Sequence, residues 1–331
     1  MVKEHNIKLT SSEISALWAA YMNNSMNACM MKYFIEKAED MEVRTILELS
    51  SDISNRLLQK IRAVYIKEKH PIPLAFNEND VNVEAPPLCT DVFTLNYIHA
   101  MARYGMTYFG SAFSGSVRPD VLGIFTEAVQ LDMELYYKTL NLLLEKGLYF
   151  RAASIPIPER VGFVEKQKYL TGGFENRRPL NAPDIMNFYN DMQRNGIGKA
   201  IIMGFGQTAN LQEVRNYMMR GAKISHVLSE ENITESATWD SEVLDSTTAP
   251  FSDKIMMFHT SLLTGSSTGY YGTALGTSLR RDIATKYMRF IVEALEFAED
   301  GTNIMINHEW MEQPPQSFDN FKMAKKKKNR M

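Results

Sequence analysis

Tyr108-Phe-Gly-Ser-Ala-Phe-Ser-Gly-Ser-Val-Arg-Pro-Asp-Val121 recurs as Tyr270-Tyr-Gly-Thr-Ala-Leu-Gly-Thr-Ser-Leu-Arg-Arg-Asp-Ile283, 162 positions later and without a gap. Tyr, Gly, Ala, Ser, Arg and Asp stand at six identical places, and most other positions exchange like for like. Glycines in register with a Ser-x-Arg-x-Asp step mark a duplicated chain. Upstream the correspondence continues at a shift of 171, through Leu9/Leu180, Glu13/Asp184, Ile14/Ile185, Glu42-Val-Arg44/Glu213-Val-Arg215 and Ile53/Ile224. The nine residues of difference fall between the second and third segments of each repeat, in a loop where deletion costs least.

Each repeat reads as four long helices. Thr10-Ser-Ser-Glu13 is a capping box, and Ile14, Leu17, Trp18, Tyr21, Met22, Met26, Cys29 and Tyr33 follow at helical steps. The pattern predicts helices over 11–38, 42–69, 91–115 and 119–146, then over 182–209, 211–240, 253–277 and 281–307. His70-Pro-Ile-Pro73 stops the second helix, Thr90 caps the third, and Pro119 suits the first turn of the fourth. Short turns with one long crossover give the connectivity of a ferritin-like bundle. The expected fold is all-α, two tandem ferritin-like four-helix bundles over 1–147 and 181–315. An extended linker covers 148–180, and a basic, disordered tail covers 316–331. Ile155-Pro-Ile-Pro158 must be extended, and Lys325-Lys-Lys-Lys-Asn-Arg330 carries the tail's charge.

Composition narrows the function classes by exclusion. With 36 Lys and Arg against 39 Asp and Glu the net charge is −3, so the body exerts no general pull on nucleic acid or anionic membrane. Two cysteines, Cys29 and Cys89, fit a reducing, cytoplasmic setting rather than a disulfide scaffold. The N-terminus lacks the apolar core of a signal peptide. Ile255–Leu279 contains no Asp, Glu, Lys or Arg, yet His259, four glycines and many hydroxyls make it a buried central helix rather than a membrane span.

The candidate chemistries fail on inspection. Ala200-Ile-Ile-Met-Gly-Phe-Gly-Gln-Thr-Ala209 looks like a dinucleotide loop, but its repeat partner, Cys29–Ala38, is helical and has no glycine. None of the six histidines has a Glu three residues before it, as a di-iron bundle requires. The recurring carboxylates Glu13/Asp184, Asp91/Asp253 and Asp120/Asp282 sit in first helical turns, where they complement the helix dipole. No nucleophile elbow follows a strand. The sequence therefore assigns no catalytic residue, metal ligand or cofactor. What stands out is a run of helix glycines, Gly265, Gly269, Gly272 and Gly276, with Gly110 and Gly115 in the first repeat. Each costs about 1 kcal/mol relative to Ala, so they imply close helix packing or, failing that, a groove for a ligand or a partner's helix.

Three motifs carry a family resemblance. They are Arg177-Arg-Pro-Leu-Asn181, the Ser-x-Arg-x-Asp entry to the fourth helix, and Trp310-Met-Glu-Gln-Pro-Pro315. Together with the doubled pattern they make nearly the whole chain resemble a tandem ferritin-like family of uncharacterised proteins from endospore-forming bacteria, some labelled putative spore coat proteins. The resemblance implies this fold, a spore-forming host, spore association and no established reaction. Two roles follow: a non-enzymatic structural or interaction protein with protein partners or self-association, or a degenerate bundle holding a metal ion or small apolar ligand.

Overall fold

The structure, a computed structural model, describes residues 7–171, 178–230 and 239–316, with only the backbone described from 225 to 230. The eight helices expected from periodicity are present. The first half holds α1 (Ser11–Lys37), α2 (Met41–Glu68), α3 (Asp91–Ser114) and α4 (Pro119–Glu145). The second holds α5 (Ala182–Thr208), α6 (Gln212–Glu230), α7 (Asp253–Thr277) and α8 (Arg281–Asn307). The chain is all-α, two four-helix repeats in tandem. The helix predicted over 211–240 is described as far as Glu230; residues 231–238 lie outside the described ones, and Trp239–Glu242 forms a 3-10 turn. There Asp240 pairs with Lys199 of α5 at 2.6 Å. The linker carries a 3-10 turn at Gln167–Leu170, and the basic tail lies outside the described residues.

Local chemistry starts the helices and then pins their ends. Thr10 accepts the Glu13 amide while Glu13 returns to the Thr10 amide, and Asn181 with Asp184 repeats the device on α5. Glu13 does more than complement the α1 dipole. Its Oε1 also accepts the amides of Val117 and Arg118 at 3.0 and 2.8 Å, tying the start of α1 to the α3–α4 turn. Burial raises its pKa, but these backbone hydrogen bonds outweigh it and hold the carboxyl below its ordinary range. Asp91 likewise takes the amides of Glu39 and Asp40, and Asp253 those of Asn210 and Leu211, so each fastens the turn between the preceding two helices. The Ser-x-Arg-x-Asp step is a bidentate clamp. Buried Arg118 grips Asp120 through two bonds and reaches Glu68, and buried Arg280 grips Asp282 in the same way.

The halves meet through their long crossovers, and the meeting is two-fold. Val81 bridges Phe251 and Cys89 bridges Val243. At the shift of 162, Val81 corresponds to Val243 and Cys89 to Phe251, so each bridge is the image of the other. The flanking bonds repeat the symmetry: Asn82 N donates to Pro250 O and Leu244 N to Leu88 O, at 2.8 and 2.9 Å. The Thr90 hydroxyl donates to Glu242, and that of Ser252 to Asp80. On the axis itself Tyr97 Oη meets its own counterpart, His259 Nε2, at 2.7 Å. This is the isologous contact of a symmetric dimer, made here within one chain. The main hydrophobic core is continuous across it, with Phe251 packed edge-on against Tyr33, Phe34 and Phe205. A smaller cluster of Tyr271, Ala274, Ile283, Tyr287 and Phe290 stands apart at the far end of the second repeat.

Helix α7, uncharged after Asp253 and Lys254, is buried along its first turns and again at Tyr271 and Ala274, and not throughout as its sequence suggests. Ile255, Met256, Met257, His259 and Thr260 are covered, whereas Gly265, Gly269, Gly272 and Gly276 are exposed. Its polarity is internal: Thr260, Ser261, Thr264, Thr268, Thr273 and Thr277 each donate to the carbonyl four residues back. Among the described residues no helix is long and apolar enough to cross a membrane.

Candidate functional site

The space between the main core and the far cluster is a cavity of about 440 Å³, walled by α3, α5 and α7 with residues of α6, α8, Trp239 and the segment Tyr149–Arg151. That volume lies in the range of small-molecule pockets. Two positions of its wall carry a smaller side chain in the second repeat than in the first. Ser266 stands where α3 has Tyr104, and Gly198 where α1 has Asn27. In the first repeat those larger residues leave a cavity of about 80 Å³. Gly198 is buried, yet a Cβ placed on it would meet nothing within 4 Å. A close-packed interior would fill that position.

Polar groups line this space to an extent unusual for a bundle interior. On α5, Asn187, Asp191 and Asn195 line it, all buried and spaced to share one face with Asp184, which lies outside the lining. Asn187 donates to Thr277 Oγ1 at 2.9 Å, and Asn195 accepts from Tyr271 Oη at 2.8 Å. Asp191 accepts from Tyr287 Oη at 2.8 Å and pairs with Arg194. Burial raises the pKa of its carboxyl, and the Arg194 charge opposes that only in part. The Arg194 guanidinium lies over the Tyr270 ring, 3.6 Å from its centre.

From the first repeat, α3 contributes His99 and Arg103, one turn apart on the same face. His99 is buried against the ring of Tyr136. Burial first, and the Arg103 charge second, push its pKa down to about 4, so the imidazole is neutral. Thr139 spends its hydroxyl hydrogen on Tyr136 O at 2.9 Å, so at 2.9 Å from His99 Nδ1 it accepts. The proton therefore sits on Nδ1, and Nε2 is a bare acceptor with no partner among the described residues. Arg103 donates through Nη2 to Asn190 Oδ1 at 2.6 Å and pairs with no carboxylate among the described residues.

The glycines singled out from the sequence do not build this site by packing. A Cβ on Gly110, Gly265, Gly269, Gly272 or Gly276 would meet nothing within 4 Å, so close helix approach is not what places them. The reason is orientation: in α7 they form the outward face, and among the described residues nothing packs over it. Gly115 differs, since a Cβ there would come 2.7 Å from Ser12 Oγ. The cavity is lined by their neighbours on the adjacent face, among them Thr264, Ser266, Ser267, Tyr270 and Tyr271. Gly204 and Gly206, the false dinucleotide loop, lie within α5 and admit Leu88 and Met219 closely. Cys29 is a core residue whose thiol is pushed up to about 11 by burial.

Missing from the sequence reading is Asp132, on the buried face of α4 between Ala128 and Leu135. It faces the smaller cavity, makes no hydrogen bond or ion pair among the described residues, and is pushed up to about 8 by burial. A polar residue falling on a stripe of core-spaced positions was the available signal, as it was for Asp191 and its neighbours. No three His, Cys, Asp or Glu side chains among the described residues come together as a group that could hold a metal ion.

Comparisons with known proteins agree with the duplication. The model of the family DUF3231, a protein family of unknown function, matches residues 1–161 and again 168–323. No curated protein matches the chain. One solved structure, described as a putative spore coat protein from Bacillus halodurans, is 17% identical with a TM-score of 0.40. It covers 47% of this chain and 98% of its own.

Proposed function

Since this chain belongs to the DUF3231 family, whose function is unknown, we propose from the geometry of its cavity that it is a non-enzymatic binding protein. Its ligand is a small organic molecule held between the repeats. The observation that carries this is buried Gly198, which faces open space inside a 440 Å³ chamber walled by both halves. Cavities of this size are costly to keep, since each unfilled volume forfeits dispersion contacts. The resemblance of the sequence to proteins of endospore formers supports placing this role in the spore, and absence of the protein from purified spores would remove that placement. The structural, coat-building reading rests on the same resemblance and gains nothing from the cavity. The binding reading is tested with the neutral dye phenylnaphthylamine. The wild type is expected to take up one dye per chain, and Gly198→Leu, which projects a side chain into the chamber, to bind it markedly more weakly while remaining folded. Uptake that is absent, or indifferent to Gly198→Leu, would refute it.

A further inference from the structure

The cavity's charge is uncompensated, and that selects the ligand. Resting on the binding role proposed above, we infer that the ligand is an organic anion with a flat ring body, its acid group seated on Arg103. Among the described residues lining the chamber the cations are Arg103, Arg151 and Arg194, and Asp191 is the sole carboxylate. Asp191 is committed to Arg194, which leaves Arg103 as a half-buried guanidinium with one hydrogen bond, to a neutral amide. A guanidinium withdrawn from water without a counter-charge is unfavourable, and its planar fork is matched by a carboxylate or sulfonate. Asn190 Oδ1 holds one Nη in place and so orients the rest of the fork.

The remaining wall complements such a molecule. Tyr104, Tyr149, Trp239 and Tyr270 offer ring surfaces on which a flat body can stack. His99 is on the same face as Arg103, four residues earlier, and its unpartnered Nε2 can accept a hydrogen bond from a ligand hydroxyl or amine. The site is single. The counterpart of Arg103 in the second repeat is Gly265, so the two-fold symmetry of the fold does not generate a second copy.

Anilinonaphthalene sulfonate and phenylnaphthylamine share their rings and differ in the acid group, which makes them a matched pair. The sulfonate is expected to bind wild-type protein at least about tenfold more tightly than the neutral dye, the factor that a charge-assisted hydrogen bond supplies. Arg103→Gln should abolish that preference, and raised salt should weaken only the sulfonate. Asn190→Ala, which keeps the charge and removes its orienting acceptor, should weaken the sulfonate several-fold. Equal affinity for the two dyes, or a preference that survives Arg103→Gln, would overturn the anion assignment while the binding role stands. Loss of any Gly198-sensitive dye uptake would instead remove the binding role itself.

Discussion

Asp132 shows how much one side chain can decide. Its carboxyl is packed against Gly105 so closely that a Cβ there would lie 1.8 Å from Oδ2. Burial pushes the folded-state pKa up to about 8, against 3.8 when unfolded. Below the lower value both states carry the proton. As pH rises past it, the unfolded state ionises while the folded state does not, so Asp132 lowers stability progressively up to about pH 8. Asp132→Asn is therefore expected to melt higher than wild type at pH 7.5, with the gap growing by about 1 kcal/mol per pH unit above pH 4. Asn24, Asn27, Ser50 and Ser54 line the same small cavity and can receive the new amide. His99 and His259 act in the opposite sense. Burial lowers them to about 4 and about 3, so stability is full above their unfolded value of 6.5 and is lost as pH falls below it. In the Asn variant this acid limb should remain and the neutral-to-alkaline decline should shrink. Thermal melts across pH measure both, and an unchanged profile would refute the assignment.

Between helices, α7 departs most from what its sequence suggests. Lack of charge and regular glycines imply a covered helix, but hydroxyls bonded to the preceding turn supply the polarity, and the glycines face outward. Gly272→Leu is accordingly expected to leave the melting temperature unchanged or raise it, by up to about 1 kcal/mol of helix propensity. A large drop in a circular-dichroism melt would mean that the position is packed after all. The capping boxes, the proline stops and the Ser-x-Arg-x-Asp step were legible because they act within a few residues. Their second duties were not. Glu13, Asp91 and Arg118 each hold a turn that is remote in sequence, and no local pattern reveals which remote amide or carboxylate a charged group will meet.

Taken whole, the two repeats form one body rather than two that are merely linked. Phe251 sits where Tyr33 and Phe34 of the first repeat meet Phe205 of the second, and around it the crossovers exchange symmetric hydrogen bonds. Calorimetry is expected to show a single transition, because unfolding either repeat strips the other of part of its core. Phe251→Ala should lower that one transition by about 3–5 kcal/mol of stability. Two separate transitions in the wild type would contradict the shared core.

Duplication, eight helices and their caps follow from spacing and residue type alone, since helix period, proline and capping act over one or two turns. Buried Asp132 and the polar stripe on α5 were also written in the spacing, as polar residues at core positions. The cavity was not. It lies where three helices from two repeats converge, and its wall includes Ser266 in place of Tyr104 and Gly198 in place of Asn27. Whether a missing side chain leaves a void or lets neighbours collapse is settled by packing over the whole body, and packing is non-local. The tertiary fold likewise brings His99 and Arg103 of one repeat opposite Asn190 of the other, which turns residues unremarkable in the chain into a candidate binding site.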